Sequence, residues 1–223
     1  MKKLFLVSIF VLLLQFGASA QNNEFEKGLS FASNGDFQNA LPHFQNLLDK
    51  KLSAKKLAQV HYNIGVCFYR LNQTNSAITE FKQAISLNPN YEKAFYALGM
   101  AFSDLKDFND AENAFRAALK LSNNGETWFD LGLVLSEQKK YDEAFVSFQN
   151  AIKFGSVAAS ASHNNLGVIS AWKGDFKLAE KEIELSKNLG FTEAENNLKI
   201  LRKAMISNDK TLIGKLILQE KIN

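Results

Sequence analysis

Cysteine is nearly missing from this 223-residue chain: Cys67 stands alone. A lone thiol excludes an internal disulfide framework. It leaves two roles, a small buried apolar residue or one half of an intermolecular bridge. Proline is almost as scarce, with two residues, so little in the chain interrupts helices. Neither sign of charge is in surplus, with 26 Lys and Arg against 23 Asp and Glu. That balance excludes the clear basic excess of a nucleic-acid-binding surface. The longest apolar run, residues 4–16, falls short of the about 20 residues that a membrane-spanning helix needs. Chemical motifs are missing too. The chain has no HExxH pair, CxxC, phosphate-binding glycine loop or G-x-S-x-G elbow, and its carboxylates are scattered. His43, His61 and His163 lie far apart, and packing accounts for them better than metal binding. The chain is therefore expected to be no enzyme and to need no cofactor or metal.

What is present is periodic. The stretch AQVHYNIGVCFYRLNQTNSAITEFKQAISLNPNY, residues 58–91, reads as two short helices and a turn. Its anchors Gly65, Ala77 and Phe81 recur as Gly28/Ala40/Phe44, Gly99/Ala111/Phe115, Gly132/Ala144/Phe148 and Gly167/Ala179/Ile183. In each set a small residue follows the glycine by twelve positions and a large apolar one by sixteen. Successive glycines lie 37, 34, 33 and 35 residues apart. A fixed period of this size marks stacked helical hairpins.

The flanking columns carry the same signal. Counted from the glycine, position −4 holds Glu24, His61, Phe95, Trp128 and His163. Position −1 holds Lys27, Ile64, Leu98, Leu131 and Leu166, and position +3 holds Phe31, Phe68, Phe102, Leu135 and Ser170. Pro89 closes the second copy. These residues resemble the tetratricopeptide repeat, whose unit is about 34 residues with a W-L-G-Y, A, F, A, P pattern. The resemblance covers roughly residues 21–193. It implies an all-α fold, an α-α superhelix of helix-turn-helix repeats that binds protein partners.

The physics of the pattern agrees. Positions −4, −1, 0 and +3 share one helix face. Glycine in a helix costs about 1 kcal/mol against alanine, a cost that fits a second helix approaching closely. The alanine twelve residues on is the expected facing residue.

In chain order, residues 1–20 combine Lys2 and Lys3, the apolar run and Ala18-Ser19-Ala20. This is the form of a secretory signal peptide cut after Ala20, with an uncleaved anchor as the alternative. The residue directly after the cut is Gln21 and not a cysteine, which argues against a lipoprotein. Removing Lys2 and Lys3 from the 26 basic residues leaves 24, against 23 acidic. The repeats are placed at 21–54, 58–91, 92–124, 125–158 and 160–193, and residues 194–223 are read as capping helices. In the first of these caps Ala194, Leu198, Leu201 and Met205 form an apolar stripe, with Lys199, Arg202 and Lys203 off it. Leu212, Ile213, Leu216 and Ile217 mark a last helix. That helix either completes a sixth hairpin or offers an apolar strip to a partner; packing on its own core is favoured.

A second face of each first helix lies about 140° from the core face at about 100° per residue. In the family it lines the concave groove. Here it is apolar and aromatic. The groove residues expected to meet a partner are Phe25, Tyr62, Tyr69, Arg70, Lys93, Tyr96, Met100, Phe129, Leu133 and Trp172. Aromatic patches of this kind are frequent binding sites. Relatives that clamp a terminal carboxylate use lysine and asparagine, and aromatics stand at position −3 here instead. Asp104, Glu126, Asp130 and Glu137 make the later half acidic. The expected partner is a mostly apolar peptide or amphipathic helix with Lys or Arg at one end. The sequence thus predicts an exported, periplasmic or secreted adaptor of the cell envelope, with no nucleic acid and no stable membrane span. A glycan-binding module and a self-assembling structural component are the alternatives, and oligomeric state stays open.

Overall fold

The computed structural model describes residues 23–207 and 209–216. The expected signal peptide, its cut after Ala20, and Ile217 lie outside these residues. Among the described residues all regular structure is helical. The first unit, ending at Leu105, contains α1 (23–33), α2 (Phe37–Gln45), α3 (Ala54–Arg70), α4 (Thr74–Leu87) and α5 (Glu92–Asp104). The second, from Lys106, contains α6 (Phe108–Leu121), α7 (Gly125–Glu137), α8 (Tyr141–Lys153), α9 (Ala159–Trp172), α10 (Phe176–Asn188) and α11 (Thr192–Ser207). A 3-10 helix, Lys210–Lys215, closes it.

Each first helix ends at the same place for a local reason. The residue seven after the repeat glycine has positive φ in all five copies: Gly35 (78°), Asn72 (60°), Lys106 (60°), Lys139 (61°) and Gly174 (85°). The left-handed residue reverses the chain. The next residue then caps the second helix. Asp36, Asp107 and Asp175 each accept a backbone N–H from three residues on, at 3.2, 3.5 and 3.0 Å. That bond satisfies one of the orphan donors of a helix N-terminus. Ser53 caps α3 in the same way, accepting from Lys56. The cap starts α3 at Ala54, a turn ahead of the expected repeat boundary at 58.

The recurring triplet sets how the two helices of a hairpin meet. A Cβ placed on Gly65 would stand 2.6 Å from the Phe81 ring and 3.3 Å from the Ala77 carbonyl oxygen. Gly28 and Gly132 face Phe44 and Phe148 at 2.7 Å, and Gly167 faces Ile183 at 2.4 Å. The glycine thus makes room chiefly for the side chain sixteen residues later, which packs against the first helix at that point. The alanine contributes its backbone. Phe44, Phe81, Phe148 and Ile183 are fully buried as a result.

Helix α9 differs from its equivalents. Its residues 164–171 are buried without interruption, so it has no solvent face along that stretch. α10, α11 and the closing 3-10 helix cover it, in a cluster built on Val168, Ala171, Ile183, Leu198, Leu201, Ile213 and Leu216. The stripe expected on α11 is present at Ala194, Leu198 and Leu201, whereas Met205 is exposed and Ala204 takes the buried position. Of the expected last helix, the described part is a short 3-10 turn, Lys210–Lys215, and the backbone is extended at Leu216.

Candidate protein-interaction surface

In the first unit, α3 and α5 present their groove-side columns. Tyr62, Val66 and Tyr69 on α3 are half-buried and Arg70 is exposed. On α5, Tyr96 and Met100 are half-buried and Lys93 is exposed. The stripe is held in place by its own contacts. The Tyr62 ring lies 5.1 Å from Tyr91 and 6.0 Å from Phe81. Burial, and then the Glu92 carboxylate, raises the Tyr62 phenol above its ordinary range. Burial with Tyr62 beside it pushes Tyr91 up to about 12. Both rings therefore stay neutral and act as apolar bodies with a polar tip. The Tyr69 hydroxyl donates to the Asp104 carboxylate, which ties the end of α3 to the end of α5. The Arg70 guanidinium sits 5.1 Å over the Phe37 ring, a cation–π contact.

Two residues expected on this surface belong to the core instead. Phe25 is buried edge-to-face against Phe44, with ring centroids 5.6 Å apart, and the Lys56 ammonium covers it at 3.4 Å. Phe129 is buried against Phe148 at 5.7 Å. The cause is common to both. The large ring at +16 lies under the glycine and reaches the −3 column, so an aromatic at −3 stacks on it. Tyr62 makes the same contact with Phe81, and its hydroxyl holds it at the boundary.

In the second unit Leu133 and Trp172 are half-buried. Trp172 stacks edge-on against Tyr141, with centroids 4.9 Å apart. Its indole N–H donates to the Ile213 carbonyl at 3.1 Å. The groove-side columns of α9 are thus occupied by the chain's own C-terminal segment, and Asn164 and Val168 are fully buried.

The histidines form a constellation that sequence reasoning missed. His61 Nδ1 lies 2.6 Å from Glu80, and His163 Nδ1 lies 2.7 Å from Glu182. His43 pairs with Glu24 at 2.9 Å. Each pair joins the two helices of one hairpin through residues nineteen apart, and in the first hairpin the two partners are exchanged. The signal was present in the −4 and +15 columns read together. The pairs are clasps: among the described residues no three His, Cys, Asp or Glu side chains gather to hold a metal ion. Cys67 is buried and burial pushes its thiol up to about 11, so it behaves as a packing residue. No helix among the described residues is long and apolar enough to cross a membrane.

Comparison with known proteins agrees with this geometry. The family described as the middle TPR-like domain of cilia and flagella-associated protein 70 matches residues 30–154. The BBSome complex member BBS4 homolog of Drosophila melanogaster is 26% identical over 159 residues, covering 71% of this chain and 30% of that protein. The chain thus spans less than a third of that relative's length. Among solved structures, PilF of Pseudomonas aeruginosa superimposes with a TM-score of 0.70 at 17% identity, covering 90% of each chain. YrrB, described as a TPR protein with an unusual peptide-binding site, gives 0.62 at 20% identity over 86% of this chain and 89% of its own. At these identities the likeness is one of fold, an α-α superhelix of helical hairpins. Because the family match spans more than half of the sequence, the chain belongs to this family of tetratricopeptide-repeat-like domains.

Proposed function

We propose that the protein is a non-enzymatic interaction scaffold that holds an apolar segment of a partner protein against the stripe on α3 and α5. The observation that carries this reading is the stripe itself. Tyr62, Val66, Tyr96 and Met100 remain partly open to solvent on adjacent helices, beside the cations Arg70 and Lys93. Fixed aromatic side chains contribute contact area at little entropic cost on binding. Asp104 at the end of α5 favours a ligand with Lys or Arg at one end. The peptide-binding description of YrrB concerns that protein, and it supports the same use of a similar fold. Residues 1–20 have the form of an export signal, so the partner is sought in the cell envelope.

The test is a selection of displayed peptides against the full chain, followed by Tyr96→Ala/Met100→Ala. Selected peptides should be apolar with a terminal cation, and the double variant should weaken them about tenfold or more, as loss of central anchors does. The melting temperature should fall by only a few degrees, because both side chains are half-buried. Unchanged peptide affinity in a normally folded variant would remove the stripe from the binding surface.

A further inference from the structure

The closing 3-10 helix packs chiefly on α11 and reaches α9 at Trp172, a position the sequence places on the groove side. Trp172 is the last residue of α9, and its N–H donates to the Ile213 carbonyl at 3.1 Å. Ile213 and Leu216 are buried, at 7% and 4% exposure, among Val168, Ala171, Leu198 and Leu201. Between and beside them Thr211, Gly214 and Lys215 face solvent. A side chain added at Gly214 would meet open space. Much of what shapes the segment is local. Asp209 Oδ1 accepts from the Thr211 backbone at 2.9 Å and from the Thr211 hydroxyl at 2.6 Å. The Leu212 and Leu216 amides donate to the carbonyls of Asp209 and Ile213. The Asp209 amide, donating to Ala204, links its start to α11.

We infer that this seat is a peptide-binding site and that residues 209–216 are its displaceable built-in occupant. The partner that fits is a short segment with two aliphatic side chains three residues apart and a backbone carbonyl between them turned to Trp172. The inference deepens the scaffold reading and rests on it. The seating explains why displacement is feasible. Burial of Ile213 and Leu216, with Leu212 partly buried beside them, and the hydrogen bonds to Trp172 and Ala204 together oppose the entropy of ordering the segment, and six residues of 3-10 helix carry little cooperativity of their own. A partner with the same anchors, joined to a larger interface, outcompetes it. An occupied seat lowers apparent affinity by the fraction of molecules in which it is open.

The experiment uses the full chain and a fluorescent peptide of residues 209–216, Asp-Lys-Thr-Leu-Ile-Gly-Lys-Leu. No partner protein is needed, so failure here leaves the α3–α5 stripe untouched. In the wild type the tail competes and the peptide binds weakly. Unseating the tail with Ile213→Asp/Leu216→Asp should tighten peptide binding about tenfold, as expected if the tail is seated about nine-tenths of the time. Adding Trp172→Phe, which removes the donor and keeps an apolar ring, should weaken it again. A scrambled peptide should not bind. Equal binding to the wild type and a folded unseated variant would overturn the proposal, as would indifference to Trp172→Phe. Loss of the helical fold in the unseated variant would also overturn it, because the segment would then be an integral part of the core. Hydrogen exchange on the wild type provides a second readout: the Leu216 amide should exchange much faster than the amides of α9, and equal protection would refute displacement.

Discussion

The packing of glycine against the ring sixteen residues later can be tested by adding one methyl group. In Gly65→Ala the new Cβ would stand 2.6 and 2.7 Å from two carbons of the Phe81 ring and 3.3 Å from the Ala77 carbonyl. Overpacking of this kind costs about 1–3 kcal/mol. The gain in helix propensity returns about 1 kcal/mol. Because the ring can tilt, the net loss should be about 1 kcal/mol. Gly167→Ala meets a harder wall. There the Cβ would approach Ile183 Cγ1 at 2.4 Å, the Ala179 carbonyl at 2.9 Å and the Ile183 amide nitrogen at 3.1 Å. Two of those three atoms are backbone, which cannot rotate away, so the net loss should be about 2 kcal/mol. For a chain of this size that corresponds to a melting shift of about 4–8 °C for Gly167→Ala and half of it for Gly65→Ala. Thermal and urea denaturation of both variants measure the difference. Adding Phe81→Leu to Gly65→Ala should cost less than the two changes made separately, since one relieves the other. If Gly65→Ala raises stability by its propensity gain, the hairpins do not meet at this point and the register is wrong.

Two further outcomes follow from the same structure. The Cys67 thiol, raised by burial from an ordinary value of 9.0 to about 11, makes the folded chain hold a proton that the unfolded chain has lost. Stability should therefore fall as the pH rises from about 9 to about 11 and be unaffected by this group below that window. Cys67→Ala should remove that part of the slope in a series of denaturant midpoints, and an unchanged slope would show that the thiol is not desolvated. The left-handed turn position predicts opposite effects at two sites: Lys139→Gly should stabilise by about 0.5 kcal/mol by relieving positive φ. Gly174→Ala should destabilise by about 1 kcal/mol; calorimetry showing the same sign for both would refute the shared turn geometry.

The hairpin register was legible because it depends on residue size at fixed separations. Gly65, Ala77 and Phe81 carry it within one repeat, and their counterparts repeat it. The turn position seven after the glycine was legible where Gly35-Asp36 and Gly174-Asp175 mark it, and not where asparagine or lysine occupies it. Its conformation is imposed by the two helices that it joins. The surface was legible only in part, for a similar reason. A helical wheel describes one helix in isolation, and on that basis Phe25, Tyr62 and Phe129 share an outward column. What buries Phe25 and Phe129 is the ring from the second helix, which extends past the glycine onto that column. The hydroxyl of Tyr62 separates it from the other two, so residue chemistry, more than helix phase, decides which −3 aromatics stay available. Trp172 is the extreme case. Its column position is that of a groove residue, yet its N–H already has an acceptor, supplied forty-one residues later by Ile213. No period in the sequence relates those two residues, because the contact depends on where the chain returns after its last repeat. A groove position that the chain itself fills is informative about ligands in a way that an empty one is not, because the seated segment displays the side-chain spacing and the acceptor that the site accommodates.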